Sequence, residues 1–305
     1  MITNNLYLFI FFFPLLAVLC LTPIAKIMSK RYGLLDKPGE LKIHKNDIPL
    51  GGGIAIFLGF FLVMIIVLLI FDIWDIRFWG ILVGGFIVLF LGIADDLKLL
   101  RRRYRLFGQV LAGIVIFFAG IKIGIFPFLI ASFVLTIFYI IGGSNAINLL
   151  DGMDGLAAGT AAIASAGFLG LSVIQNNILG IFLSLAILGA ILGFLPYNFP
   201  PASIFMGNNG SYFLGFLLAT LMIILTSHAY SLKWFLAPIL VMGLPVMDTS
   251  YAIIRRARKK NPFFIGDRGH IYDQMMSRGY SQKKTLFLNY CLGGIFSLLA
   301  ILLVI

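Results

Sequence analysis

The chain has 305 residues, of which 61% are hydrophobic and only 11% are charged, and its formal net charge at pH 7 is +11. A soluble protein of this length cannot bury so much apolar surface, so the composition excludes a soluble globular fold and indicates an integral membrane protein. The two cysteines, Cys20 and Cys291, lie in apolar segments, which argues against a disulfide framework and against a zinc site.

Ten apolar segments of about 20 residues are each long enough to cross about 30 Å of hydrocarbon. We therefore predict an all-α, polytopic membrane protein with a single transmembrane domain over residues 1–305. The first segment lacks the basic region and the cleavage site of a secretory signal, so we expect it to be retained as a span. The predicted spans are 6–28, 51–71, 78–95, 105–121, 124–141, 155–174, 178–195, 210–227, 233–253 and 284–305.

Basic residues are concentrated at one set of helix ends. All but three of the 23 lysines and arginines lie in or beside the segments 26–45, 98–105 and 255–284. By the positive-inside rule these segments are cytoplasmic, and ten spans then place both termini on the extracytoplasmic side. The same charge would attract anionic headgroups and phosphorylated substrates, although a topology signal alone would also account for it.

Two adjacent carboxylates, Asp95 and Asp96, end the third predicted span. Such a pair is self-repelling and costly to desolvate at the end of a membrane helix, so it requires a metal ion or a cationic partner. Arg105 and four other basic residues follow in the segment 98–105. The alternative is a helix end neutralised by these bases, for which one acid would have been enough.

A polar stretch at residues 145–156 reads N-A-I-N-L-L-D-G-M-D-G-L. Its amides and carboxylates recur every three residues, so Asn148, Asp151 and Asp154 can point oxygen atoms into a common space if the segment is helical. Oxygen ligands of this kind suit magnesium. A polar turn between two helices, with its usual caps, is the alternative interpretation.

Two further loops carry weaker signals. Lys42 and His44 precede a Pro-Leu-Gly-Gly-Gly entry into the second span, and Gly207 and Gly210 frame a turn that enters the eighth. A glycine backbone can approach a ligand closely, and the free amides of a helix N-terminus can bind an anion. A basic surface loop with a glycine hinge, and a turn with a helix cap, explain the same residues.

The last cytoplasmic loop, residues 254–284, contains a dense mixture of acid, base and imidazole that includes Asp267, Arg268 and His270. A solvated loop that sets the topology explains its first basic cluster better than this second one. Asp248 lies within the ninth predicted span, where an ionisable residue is by default functional, but the sequence does not identify its partner.

Four motifs, in order along one membrane face, resemble those of the polyprenyl-phosphate N-acetylhexosamine-1-phosphate transferases, a glycosyltransferase family 4-like group. The group includes the lipid I translocase and the enzymes that initiate O-antigen and teichoic acid synthesis. The motifs are D-D at 95–96, N-A-I-N-L-L-D-G-M-D-G-L at 145–156, I-F-M-G-x-x-G-S at 204–211 and D-R-G-H at 267–270. The segment D-K-P-x-x-x-K-x-H at 36–44 and the ten-span layout also match, so the resemblance covers nearly the whole chain.

The resemblance implies an enzyme of the bacterial plasma membrane that depends on magnesium, or on manganese in its place. In that reaction a polyprenyl phosphate attacks the β-phosphate of a UDP-sugar, which releases UMP and leaves a polyprenyl-diphospho-sugar for cell-wall or surface polysaccharide synthesis. A homodimer is plausible and no nucleic acid is involved. The implied residues are Asp95, Asp96 and His270 for catalysis, Asn148, Asp151 and Asn208 for the metal, and Lys42, His44, Arg105, Asn145, Asp154, Gly207, Asn209, Gly210, Asp267 and Arg268 for substrate binding.

The chain departs from the family pattern at three places. Asn208 replaces an aspartate that binds magnesium in the family, and an amide oxygen without full negative charge should bind the ion more weakly. Leu41 stands where an arginine is common. Residues 270–273 read H-I-Y-D where the lipid I enzymes carry consecutive histidines, which argues against a muramoyl-pentapeptide substrate and favours a simpler UDP-N-acetylated sugar.

Two other functions remain open from the sequence. A non-catalytic relative of the transferases would explain Asn208. A multi-span transporter of an anionic substrate fits the number of spans, but its ionisable residues should lie near the bilayer midplane, whereas most of these lie at one face and Asp248 is the main exception.

Overall fold

The computed structural model describes residues 4–39, 46–71, 75–125, 128–226, 231–259 and 269–305. It confirms an all-α polytopic membrane protein. The helices are α1 (Asn4–Arg31), α2 (Gly52–Phe71), α3 (Ile76–Asp96), α4 (Arg102–Phe118), α5 (Leu129–Leu150), α6 (Leu156–Ile174), α7 (Ile178–Asn198), α8 (Gly207–Thr226), α9 (Leu232–Val241), α10 (Gly243–Arg258), α11 (Ile271–Ser277) and α12 (Gln282–Val304).

Each of the ten predicted spans overlaps one of these helices or a helix pair, although the span predicted at 124–141 is shifted, because α5 runs from Leu129 to Leu150. Eight helices in the described part of the chain are long and apolar enough to cross a membrane, and α9 with α10 makes a ninth if this pair, bent by 79°, is one span. The bend falls between Val241 and Gly243, and Pro245 lacks the backbone N–H that would hydrogen-bond back across it. The predicted straight span 233–253 is therefore two helices.

Helix α4 is the remaining predicted span and the shortest of them. Its 17 residues extend about 25 Å, which is less than the hydrocarbon thickness. It nevertheless runs antiparallel to α3 over most of that helix. Arg105 at its start contacts Asp95, and Ala119, directly after its end, packs against Gly80. The predicted placement of both termini outside the cytoplasm depends on whether α4 crosses, and it stays a prediction.

Helix α8 is the centre of the molecule. Every residue of its apolar stretch is buried, and it packs against α2, α3, α5, α6, α7 and α9. Helix α8 can approach α3 closely because Gly92 has no Cβ atom. A Cβ atom at this position would overlap the backbone of Asn208 and Asn209. The first turn of α8 is thereby placed directly beside the end of α3.

A short hairpin closes the first loop over this region. Strands β1 (Leu35–Asp36) and β2 (Ile48–Pro49) pair antiparallel, with Leu35 opposite Pro49. Pro49 then accepts a hydrogen bond of 2.8 Å from the backbone amide of Phe205, just before α8. The first loop, between α1 and α2, and the fourth loop, between α7 and α8, are therefore joined at the same end of the bundle.

Candidate active site

A cavity of about 580 Å³ lies where the ends of α3 and α5 meet the start of α8 and the hairpin. Its lining combines apolar residues with charged groups that are predominantly acidic, which is unusual at the end of a bundle of apolar helices. Among the described residues, the charged and amide side chains that line it are Asp36, Lys37, Asp95, Asp96, Lys98, Asn148, Asp151, Asp154, Asn198 and Asn208. In this part of the chain five carboxylates thus face two ammonium groups, so a cation would relieve the repulsion inside the cavity.

Asp95 reaches the cavity from the end of α3 and is held on one side only. Its Oδ2 atom accepts hydrogen bonds from Arg105 Nη1 at 3.0 Å and from the Tyr212 hydroxyl at 3.2 Å. Arg105 Nη1 also lies 3.3 Å from that hydroxyl, so the three groups form a closed cluster. No described residue donates a hydrogen bond to Asp95 Oδ1, which leaves this oxygen for the cavity.

Asp96, by contrast, uses both carboxylate oxygens within the protein. Oδ1 accepts from the backbone amide of Asn208 at 2.9 Å, and Oδ2 accepts from the backbone amide and the side-chain Nδ2 of Asn209 at 3.1 and 2.6 Å. The amides belong to the first turn of α8, which has no intrahelical partners for them. The anion that occupies the predicted amide cradle is therefore the Asp96 carboxylate.

The polar stretch at 145–156 forms the end of α5 and then a turn that is fixed by the fourth loop. Helix α5 ends at Leu150, and α6 starts after Gly155, whose φ of +75° favours glycine. The Asn198 side chain accepts a hydrogen bond from the Gly155 amide at 3.1 Å, and Asp154 Oδ2 accepts one from the Ala202 amide at 3.0 Å. Asp151 and Asp154 are thus held at the cavity wall.

Asp151 lies where a negative charge is disfavoured. Burial, followed by repulsion from Asp96, Asp36 and Asp154, raises the pKa of the Asp151 carboxyl well above its ordinary value of 3.8. A carboxylate in such surroundings is stable only when a positive charge accompanies it. A cation bound in this cavity would therefore favour the charged form of Asp151.

The three predicted metal ligands line one cavity, and two of them contact each other. Asn148 Nδ2 donates hydrogen bonds to Asn208 Oδ1 at 2.7 Å and to the Ser211 hydroxyl at 2.9 Å, and Asp151 lines the same cavity. In the described part of the chain, no group of three or more His, Cys, Asp or Glu side chains could hold a metal ion by itself. The donor set of one carboxylate and two amides fits Mg²⁺, which takes few ligands from a protein and the rest from water and phosphate.

His270 lies close to the cavity but does not line it. Its Nδ1 atom is 2.6 Å from Oδ2 of Asp248, and Asp248 Oδ1 also accepts from the Ile271 amide at 2.8 Å. The intramembrane carboxylate whose partner the sequence did not identify therefore pairs with the predicted catalytic histidine. The neighbouring Tyr272 packs against Gly152 beside Asp151, which links this loop to the cavity.

The other predicted residues divide into four groups. Asp154 and Gly207 line the cavity. Arg105 contacts it only through Asp95, and Asn145 lies one turn deeper, where it donates a hydrogen bond of 2.8 Å to Gln109. The structure buries Asn209 and Gly210 in helix packing, so their contact with substrate stays a prediction, as do the roles of Lys42, His44, Asp267 and Arg268, which lie outside the described residues.

Sequence reasoning missed several residues that build the site. Tyr212 and Asn198 lie beside other polar residues at the ends of α8 and α7, but nothing in the sequence shows that Tyr212 contacts Asp95 or that Asn198 contacts Gly155. Asp36 and Lys37 line the cavity and belong to the motif at 36–44, so the motif could have identified them.

Comparisons with known proteins identify the family. The model of glycosyl transferase family 4 matches residues 78–226, which run from the start of α3 to the end of α8. A probable undecaprenyl-phosphate N-acetylglucosaminyl 1-phosphate transferase of Bacillus subtilis is 38% identical to this chain, over 96% of this chain and 84% of that protein.

Two further relatives are more distant. A decaprenyl-phosphate N-acetylglucosaminephosphotransferase of Mycobacterium tuberculosis is 28% identical, over 88% of this chain and 76% of its own length. A phospho-N-acetylmuramoyl-pentapeptide-transferase of Bacillus anthracis is 30% identical, with 92% and 90% covered. All three relatives are bacterial, and the matches extend over nearly the whole chain. This multi-span membrane protein belongs to glycosyl transferase family 4.

Proposed function

We propose that this chain transfers a sugar-1-phosphate, most simply that of an N-acetylated hexosamine, from a UDP-sugar to a polyprenyl phosphate. An oxygen of the lipid phosphate attacks the β-phosphorus of the UDP-sugar, and the phosphoanhydride bond to the α-phosphate breaks. The products are a polyprenyl-diphospho-sugar and UMP. The reaction would take place at the cytoplasmic face of the membrane.

The observation that carries this proposal is the convergence of three loops in one acidic cavity. Asp95, Asp151 and Asn208 come from α3, from the turn after α5 and from α8, and all three line that cavity. It lies at the ends of apolar helices, so a lipid phosphate can reach it while its hydrocarbon chain stays in the bilayer. A transporter would instead be expected to hold its polar groups near the midplane.

A divalent cation fits the donor set described above. Asn148, Asp151 and Asn208 would hold Mg²⁺, or Mn²⁺ in its place. Such an ion, when bound, offsets the charge of the diphosphate and of the five carboxylates.

The residues of the chain would orient and balance the reactants. Lys37 and Lys98 carry the positive charge of the described cavity lining and would attract the phosphates. Asp95 presents one free oxygen, which can orient the lipid phosphate or accept its proton. The backbone of the turn at 151–155 is fixed by Asn198 and the fourth loop, so little reorganisation is needed when substrate binds.

The sugar is proposed from the relatives and from one motif. The relatives from Bacillus subtilis and Mycobacterium tuberculosis are both named for N-acetylglucosamine. The H-I-Y-D sequence at 270–273 lacks the consecutive histidines of the lipid I enzymes, which argues against the muramoyl-pentapeptide. UDP-N-acetylglucosamine is therefore the first donor to test.

The deciding experiment measures UMP release by the purified protein with polyprenyl phosphate, Mg²⁺ and a panel of UDP-sugars. We expect release with at least one UDP-N-acetylhexosamine and none after EDTA treatment. Asp75→Asn, at the opposite end of α3, is the matched control and should retain full activity. If a folded preparation releases no UMP with any sugar, the chain is a non-catalytic relative and the proposal is wrong. The molar mass of the purified protein would test the proposed homodimer.

A further inference from the structure

The two adjacent aspartates at the end of α3 have different surroundings. Both oxygens of Asp96 accept hydrogen bonds from the first turn of α8, three in all, from the backbone amides of Asn208 and Asn209 and from the Asn209 side chain. The positive end of the α8 dipole strengthens these contacts. Asp96 therefore caps a helix that lies 112 residues further along the chain.

Asn209 extends this contact to the first loop. It is fully buried, and its Nδ2 atom donates to the backbone oxygen of Leu50 at 2.9 Å as well as to Asp96. The end of α3, the start of α8 and the segment that leads from the hairpin into α2 therefore meet at two side chains. We call Asp96 and Asn209 the α8 anchor.

The α8 anchor fixes the position of other groups that line the cavity. Asn208 donates its backbone amide to Asp96 and presents its side chain to Asn148. Tyr212 follows one turn later on the same helix and holds Asp95. A shift in the first turn of α8 would displace a proposed metal ligand and, through Tyr212, the Asp95 carboxylate.

We propose that Asp96 is a positioning residue, acting with Asn209 through α8, and that Asp95 is the member of the pair that contacts the reactants. The contact of Asp95 with the reactants rests on the proposed function, whereas the α8 anchor does not depend on it. The geometry gives the reason: both oxygens of Asp96 are engaged by α8, whereas Asp95 keeps one for the cavity.

The test compares Asp95→Asn and Asp96→Asn, with Asp75→Asn as a control that also changes an aspartate at an end of α3. We expect Asp95→Asn to lower kcat at least about hundredfold with little change in Tm. Asp96→Asn should lower Tm and raise the half-saturating Mg²⁺ concentration and the KM for the UDP-sugar about tenfold. Excess Mg²⁺ should restore most of the kcat of Asp96→Asn and none of that of Asp95→Asn.

A second measurement tests the α8 anchor without turnover. Asn209→Ala should lower Tm, and the double variant Asp96→Asn/Asn209→Ala should lose less than the sum of the two single losses, because both remove one structure. Additive losses would show that no such anchor exists. A loss of kcat in Asp96→Asn that equals that of Asp95→Asn, at unchanged Tm and at any Mg²⁺ concentration, would assign Asp96 to catalysis. An inactive wild-type protein would contradict the proposed function alone, since the Tm comparison would still decide the anchor.

Discussion

The two ends of α3 show how differently the same residue type can behave in one helix. The Asp75 side chain precedes the helix and contacts Arg77, two residues away, through its backbone amide at 2.8 Å and its guanidinium at 2.6 Å. At the other end, Asp95 and Asp96 contact residues that are 112 to 117 positions distant on α8, if Arg105 is set aside. The first end is built from local sequence, and the second exists only when the bundle is assembled.

The pKa values of the acids near the two ends are shifted in opposite directions. Hydrogen bonds from Arg77 lower the pKa of Asp75 below its ordinary value of 3.8. Near the other end, burial and neighbouring carboxylates raise the pKa of Asp151 well above the same value. An ionised acid at the first end therefore stabilises the fold, whereas ionisation of Asp151 is unfavourable in the folded protein. Such an arrangement is typical of functional sites.

The largest expected effect follows from removing the Asp151 carboxylate. Asp151→Asn should lower the rate of UMP release by at least about a thousandfold, since it removes the only carboxylate of the proposed metal set. Its Tm without Mg²⁺ should be unchanged or higher, because a buried, repelled carboxylate has been neutralised. Activity assays and thermal unfolding in the same detergent would measure both. A variant that is active, or that unfolds more easily, would remove the contrast between the two ends.

Asn208→Asp should strengthen Mg²⁺ binding at the same end of α3, because it restores the aspartate of the family pattern. We expect the half-saturating Mg²⁺ concentration to fall about tenfold, since a full negative charge replaces an amide oxygen. Without Mg²⁺ the variant should be less stable than the wild-type protein, because the new carboxylate lies beside Asp96 and Asp151. A Mg²⁺ titration of UMP release, with Tm measured at both extremes, tests both statements. Unchanged Mg²⁺ dependence would show that position 208 does not bind the ion.

Tyr212→Phe should have a smaller effect at the same end. It removes a hydrogen bond of 3.2 Å to Asp95 and leaves Arg105 in contact with that carboxylate. A hydrogen bond to a charged group contributes about 1.5–3 kcal/mol, so kcat should fall about tenfold or somewhat more. Steady-state kinetics would measure it, with Tyr139→Phe on α5 as a control. Equal losses in the two variants would argue against a specific role for Tyr212.

The smallest effect is expected at the Asp75 end. Asp75→Ala should lower stability by about 1 kcal/mol through loss of the helix cap and leave UMP release unchanged. Because the pKa of Asp75 is lowered in the folded state, its contribution is present above pH 3.8 and is lost as the pH falls through the folded-state value. The Tm difference between the variant and the wild-type protein should therefore shrink in acid. A difference that grows on acidification would contradict this sign.

The same contrast explains what the sequence could predict. The spans follow from apolar length alone, and the meeting of Asp95, Asp151 and Asn208 follows from placing their loops on one face. The hydrogen bonds of Asp96 to α8, the Tyr212 contact and the pairing of Asp248 with His270 could not be predicted. Each depends on which helices become neighbours, and apolar sequences that are uniform around the helix do not record this.

The bend between α9 and α10 was missed for a related reason. The segment 233–253 is long and apolar enough to cross the membrane, and its prolines at 238 and 245 do not by themselves determine a break of 79°. At the bend, Phe296 of α12 lies against Gly243 at the start of α10, and this contact between distant segments is not visible in the sequence. Composition therefore predicts that a segment enters the membrane more reliably than it predicts the path.

The complete burial of α8 has a consequence for how the bilayer acts on this protein. A span in contact with lipid tilts when the hydrocarbon thickness changes, and its end moves with it. Helix α8 has no lipid-facing side among its described residues, so the helix is positioned by six neighbouring helices and not by the bilayer. The outer helices, such as α1 and α12, can absorb hydrophobic mismatch while the proposed ligand Asn208 stays in place. The position of the proposed site is therefore insensitive to the thickness of the bilayer that surrounds the outer helices.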